Sequence, residues 1–183
     1  NKIIVLDLSV FSHKSIFMWN TLTRLKNEGK TSNPFIPSPD YTYFKSMVSV
    51  LKKIGVNKGD KIFCPADARN SVLKGFYPLY KANRKETRDK ATEVDWGYHY
   101  SKIEEMNRKL NNSTDWYFIK ISDFITFADL KNTIEGKKFN IEKYNHPNEW
   151  SYGIESDQIA SVICTHYPNN EVVLVTTDAD WNM

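Results

Sequence analysis

Residues 171–181, "EVVLVTTDADW", set the reading of the whole chain. Four apolar residues, Val172 to Val175, run without alternation into two threonines, and Asp178 and Asp180 follow with one residue between them. A short apolar run that does not alternate reads as a strand covered on both faces, as in a parallel sheet. Carboxylates directly beyond such a strand need water, hydrogen-bond donors or cations to answer their charge.

Two further strands end the same way. Residues 2–7, "KIIVLD", finish at Asp7, and residues 61–67, "KIFCPAD", finish at Asp67. Between the strands the periodicity turns helical. Ser9 is placed to cap a helix carrying Phe11, Ile16, Phe17 and Leu25 that stops near Gly29. Residues 31–40 contain three prolines and read as a loop. Asp40 is expected to cap a second helix, with Phe44, Val48, Leu51 and Ile54 inward and Gly55 at its end. Asp95 opens a third, with Ile103, Met106 and Leu110 inward, and residues 116–122 form another strand. Residues 123–150 are polar and poorly periodic, an expected insertion or mobile loop with one short helix near 127–134. Residues 153–167, "GIESDQIASVICTHY", read as a helix burying Ile159, Val162 and Ile163.

Strands alternating with helices imply an α/β fold, with a mainly parallel central sheet flanked by helices. Parallel strands share a direction, so Asp7, Asp67, Asp178 and Asp180 are expected on one edge, and Glu155 and Asp157 join them if their helix starts there. Taken singly, an Asp after a strand is usually a turn former or a helix cap. Taken together, the acids repel: two carboxylates ~4 Å apart cost roughly 4 kcal/mol at an effective dielectric near 20. A cluster of oxygen donors selects magnesium or manganese, and two such ions can clamp a phosphodiester.

The chain of 183 residues suits one domain, and its 40% hydrophobic and 14% aromatic content excludes a disordered protein. No apolar run reaches the ~20 residues of a membrane helix, no secretory leader is read, and a cytoplasmic setting is the default. Cys64 and Cys164 lack CxxC spacing and read as buried free thiols, and the four histidines show no zinc pattern. Net charge is only +3, yet residues 68–90 hold seven basic residues against two acids. There Phe76, Tyr77 and Tyr80 interleave with Lys74, Lys81, Arg84, Lys85 and Arg88, a mixture of stacking faces and phosphate partners suited to single-stranded nucleic acid. A solvated basic helix with aromatics turned to the core is the alternative.

"YKANR" (residues 80–84), "LD" at the end of the first strand, "GIESDQIA" and "TTDADW" together resemble the signatures of the 5′ nucleases, the flap endonucleases and 5′ to 3′ exonucleases. The T-even-phage type of ribonuclease H is the most similar to the eye, through "VDWGYHYSKIEEM". The resemblance implies a PIN-like domain over 1–183, with an arch region at about 81–112 and the insertion at about 123–150. The helix-hairpin part that grips duplex DNA in the family is expected to be absent.

By the same resemblance, Asp7, Asp67, Glu155, Asp157, Asp178 and Asp180 are ligands of two magnesium ions, with manganese able to substitute. Lys81 and Arg84 draw in the scissile phosphate, with Asp178 counted among the catalytic residues, and Tyr80 stacks on the terminal base. Lys74, Lys85 and Arg88 add to nucleic-acid binding. The implied substrate is DNA with a 5′ flap, or an RNA primer on DNA, cut by a monomer during replication. Gln158 departs from the usual family motif, which carries an aspartate there, although flap endonucleases of cellular type also lack that acid. A nucleic-acid-binding remnant with weak catalysis is therefore the competing expectation.

Overall fold

A computed structural model describes residues 1–77, 79–81, 94–112, 114–141 and 149–181, with Asp180 described by its backbone alone. In chain order its elements are β1 (Ile3–Leu6), α1 (Leu8–Asn27), α2 (Pro39–Ile54), β2 (Lys61–Ala66), α3 (Val72–Phe76), α4 (Trp96–Asn111), β3 (Trp116–Lys120), β4 (Ile125–Thr126), α5 (Phe127–Asn132), α6 (Ile134–Phe139), β5 (Ser151–Tyr152), α7 (Ser156–His166) and β6 (Val172–Val175), followed by a 3-10 turn at Ala179–Trp181. The chain forms two compact units, Asn1–Cys64 with Glu93–Phe118 and His166–Met183, and Pro65–Thr92 with Ile119–Thr165. Among the described residues no helix is long and apolar enough to cross a membrane.

The first unit is organised by β1. Sheet order is β3-β2-β1-β6, and β1 pairs in parallel with both neighbours, Ile4 opposite Ile62 on one side and Val173 on the other. Being central, all four β1 residues are buried, which is why the run carries no polar residue. Strand β6 lies at the sheet's end and is only half-buried, although its sequence is as apolar. Among the described residues its outer backbone has no ladder partner at this edge.

Helix α1 begins as soon as β1 ends, and this corrects the expected cap. Asp7, not Ser9, is the capping residue: its Oδ1 accepts from the Ser9 backbone N–H (3.0 Å), the Ser9 hydroxyl (2.7 Å) and the Val10 N–H (3.4 Å). Leu8 is already helical, so Asp7 is the residue with the extended backbone that a cap requires. In α2, Ser38 holds the cap position with Pro39 behind it, and Asp40 sits inside the first turn. There its charge still favours the positive end of the helix. The buried stripe of α2 is Pro39, Tyr43 and Met47, one residue away from the expected Phe44, which is exposed.

That shift has a polar cause. The Tyr43 hydroxyl reaches Cys64 Sγ (3.4 Å) and donates to Asn107 Oδ1 (3.3 Å). Asn107 Nδ2 donates to the Tyr43 oxygen (3.1 Å) and to the Ile103 carbonyl (2.8 Å), and Trp116 Nε1 donates to Asn107 Oδ1 (3.1 Å). Asn107 is fully buried and ties α2, α4 and β3 together, and Tyr43 extends the network to β2. Burial pushes the Cys64 thiol up to about 12 and holds the Tyr43 hydroxyl well above its ordinary value. Both cysteines are free, but Cys164 is only half-buried.

The second unit is more ordered than its polar sequence suggests. In place of a loop with one helix, residues 125–139 hold β4, α5 and α6, and β4 pairs antiparallel with β5, Ile125 opposite Tyr152. Thr126 and Thr133 cap the two helices through the N–H groups of Asp129 and Gly136. Phe127, Leu130 and Ile141 pack with Val72 and Tyr152, residues far away in sequence. Val162 of α7 is exposed at 69%, contrary to expectation, while Ile159 and Ile163 are buried.

Replacing Asn107 by Leu keeps the branched shape but strands the Trp116 N–H and leaves the Tyr43 hydroxyl with Cys64 alone. We expect a loss of about 2–4 kcal/mol in urea denaturation; an unchanged midpoint would contradict the network's role.

Candidate functional site

In the first unit Asp7 and Asp178 are joined by a residue that the sequence did not single out. The Thr176 hydroxyl donates to Asp7 Oδ2 (2.8 Å) and accepts from the Asp178 backbone N–H (2.9 Å). Asp7 also receives its own backbone support, with its N–H bonded to the Val175 carbonyl (3.0 Å). Asp7 is 1% exposed with both oxygens engaged, whereas Asp178 is exposed. The parallel register, Leu6 opposite Val175, puts the ends of β1 and β6 side by side and makes this link possible. The signal for Thr176 was its spacing, a hydroxyl two residues ahead of an N–H that it can cap.

In the second unit a parallel bridge between Ser71 and Gly153 aligns residues 68–72 with 153–154. The Val72 N–H bonds the Gly153 carbonyl (2.8 Å), the Gly153 N–H the Asn70 carbonyl (2.7 Å), and the Ala68 N–H the Ile154 carbonyl (3.2 Å). Gly153 is a glycine for reasons of space, since a Cβ there would collide with Ala68 Cβ and the Ile121 carbonyl oxygen. This seam sets Asp67 at the start of α7, where its Oδ1 accepts from the Ser156 N–H (2.8 Å).

Glu155 is 5% exposed, and both of its oxygens are taken. Lys81 Nζ lies 3.1 Å from Oε1, and the Tyr80 hydroxyl donates to Oε2 at 2.9 Å. The Lys81 ammonium also rests 4.8 Å from the Tyr80 ring centroid. Burial works to lower the Lys81 ammonium, but hydrogen bonds with Tyr80 and Glu155 and the Glu155 charge outweigh it and hold it above its ordinary value. Asp157 is raised as well, but for a carboxyl that disfavours the charged form. Burial, and then the charges of Glu155 and Asp67, raise its carboxyl against the opposing Gln158 N–H and Lys81. The Gln158 amide oxygen accepts from the Glu155 N–H (3.1 Å), half of a capping box, so its side chain serves the helix start.

The structure therefore brings Tyr80, Lys81, Asp67, Glu155 and Asp157 together in one unit and Asp7 with Asp178 in the other. Lys74 lies in α3, half-buried. Arg84, Lys85, Arg88 and the Asp180 side chain lie outside the described residues. The donors are all oxygens, the type that hard divalent ions take, and the raised Asp157 carboxyl marks a place where positive charge is in demand. That chemistry fits magnesium or manganese. Among the described residues, however, no three acid, histidine or cysteine side chains stand close enough to hold an ion, and the positive charge beside Glu155 is Lys81.

No protein-family model and no curated protein matches the sequence. Among solved structures, the bacteriophage T5 flap endonuclease, in a pseudo-enzyme–product complex with DNA and metal ions, matches with a TM-score of 0.52 at 15% identity. The match shows a shared α/β fold, with a parallel central sheet flanked by helices. A T5 protein co-crystallised with metal ions follows at a TM-score of 0.47 and 16% identity. Each match covers 99% of this chain and 50% of the other, so the chain spans about half the length of those two structures.

Because Asp157 titrates above its unfolded value, its charged form weakens the fold at neutral pH, and that penalty vanishes below the ordinary aspartate range. In chelator, Asp157→Asn should raise the melting temperature near neutral pH, with the gain shrinking as pH falls toward about 3. A gain independent of pH would place its cause elsewhere.

Proposed function

We propose that the chain is a metal-dependent 5′ nuclease that hydrolyses phosphodiester bonds near the 5′ ends of flaps or of RNA primers on DNA. The observation that supports this best is Lys81 kept against a buried carboxylate, beside Asp67 and Asp157, in a chain that shares its fold with a flap endonuclease. A cation among acids is the arrangement required of a group that must meet a phosphate in a site that would otherwise repel it. The crystallised T5 flap endonuclease holds DNA and metal ions, which favours the same substrate class here.

In this reading Asp67, Glu155, Asp157, Asp7, Asp178 and Asp180 would hold magnesium. When bound, the ions supply a nucleophilic water at neutral pH and Lewis acidity at the leaving oxygen. Lys81, with Arg84 beside it in sequence, binds nonbridging phosphate oxygens and offsets the charge that develops on them. Tyr80 supplies an aromatic face for the terminal base. Thr176 orients Asp7 and caps the Asp178 backbone, so it acts as a positioning residue for both acids.

A second reading, nucleic-acid binding with little cleavage, is favoured by Gln158, whose amide is spent on capping α7 where the usual family motif carries an acid. A labelled 5′-flap duplex and an RNA-primed duplex incubated with magnesium separate the two. Chelator-sensitive release of short 5′ products supports the nuclease, and retention of intact substrate supports the binding module.

Asp178→Asn should lower cleavage by about 10²-fold or more with the circular dichroism spectrum unchanged, and Lys81→Ala should lower turnover by a similar factor. Wild-type rates in either variant would remove that residue from the chemistry.

A further inference from the structure

We propose that Glu155 is an anchor whose two carboxylate oxygens hold Tyr80 and Lys81 in position for nucleic acid, so that binding depends on this acid against the sign of its charge. The inference rests on the nucleic-acid reading above, and it needs no ion. Glu155 is fixed at every polar group it has. Its N–H donates to the Gln158 amide oxygen (3.1 Å), and its carbonyl accepts from the Ile159 N–H (3.2 Å) in the first turn of α7. Oε1 takes the Lys81 ammonium at 3.1 Å and Oε2 the Tyr80 hydroxyl at 2.9 Å. A carboxylate 5% exposed and so committed has little freedom to turn, and what it holds is fixed with it. The Lys81 ammonium lies 4.8 Å from the Tyr80 ring centroid, so one acid sets both the cation and the aromatic face.

The chain ahead of these two residues is pinned as well. The Ser71–Gly153 bridge joins residues 68–72 to 153–154, and α3 follows with Gly75 so close to Leu130 that a Cβ there would run into that side chain. A turn then closes with the Tyr80 N–H on the Tyr77 carbonyl (2.8 Å). Beyond the turn Lys81 stands at φ +55°, in the left-handed region that a residue with a Cβ seldom occupies. Such a conformation persists where surrounding contacts determine it, and for Lys81 those contacts are Glu155 and the Tyr80 ring. The Lys81 side chain is nevertheless 28% exposed, against 7% for Glu155, so the ammonium is held from within and open to a phosphate from outside. An ordered cation meets a phosphate at a lower entropic cost than a loose one, because its rotamer freedom is already given up.

The test is the fluorescence anisotropy of a labelled single-stranded oligonucleotide titrated with the protein in chelator, at several salt concentrations. Glu155→Gln must turn an amide NH2 toward one of the two donors, so one bond is always lost. Binding should weaken about fivefold, with the log–log salt slope flattened toward that of Lys81→Met, by up to about 0.7 for one phosphate contact on a single strand. Because the anchor acts through Lys81, Glu155→Gln should lose clearly less affinity in a Lys81→Met background than in the wild type. Tyr80→Phe keeps the ring and removes only the bond to Oε2, and it should bind about threefold more weakly. That variant carries the test if Glu155→Gln loses the wild-type circular dichroism spectrum. Binding by folded Glu155→Gln equal to or tighter than wild type overturns the anchor and leaves the nucleic-acid reading intact, since removing an acid beside a polyanion tightens binding by charge alone. An equal loss in both backgrounds overturns it too, because the acid would then act elsewhere. Wild-type affinity in Tyr80→Phe counts against it in the same way. No binding by the wild type overturns the anchor and the nucleic-acid reading together.

Discussion

A carboxylate at the buried end of a strand or helix has to be answered by donors or by positive charge, and the arrangement of this protein's candidate site follows from how each acid meets that demand. Asp7 is answered by four donors: two backbone N–H groups and the Ser9 hydroxyl at one oxygen, and the Thr176 hydroxyl at the other. Glu155 is answered by an ammonium and a phenol. Asp67 spends one oxygen on the first turn of α7. Asp157 accepts from the Gln158 N–H, and burial, with the Glu155 and Asp67 charges adding to it, raises its carboxyl.

These acids do structural work whether or not an ion is bound, which explains how a chain can gather them and still fold. Asp7 starts α1, and Asp67 and Gln158 start α7. Charges that cap helices are stabilising where they stand, by about 0.5–2 kcal/mol each. The bland reading of an aspartate after a strand and the functional one are therefore compatible for Asp7 and Asp67.

The legible parts of the fold were those decided locally. An uninterrupted apolar run marked β1, and Gly55, in the left-handed conformation, ended α2 where expected. Asp95 capped α4 through the Tyr98 N–H. What escaped depended on partners distant in the chain. The apolar face of α2 is displaced because Tyr43 seeks Asn107, sixty-four residues away. The order of residues 125–139 was hidden because their core is completed by Val72 and Tyr152. Both threonine caps of that segment were visible in principle, as N-cap residues ahead of short helices. The grouping of Asp67 with Glu155 was inferred from strand direction; the contact that makes it, the Ser71–Gly153 bridge, carries no local signature beyond a glycine.

The most direct test of the account is an anomalous-scattering crystal structure of the chain grown with manganese. The account predicts manganese bound among the carboxylates of Asp67, Glu155 and Asp157. No manganese at any of these carboxylates at saturating concentration would contradict it.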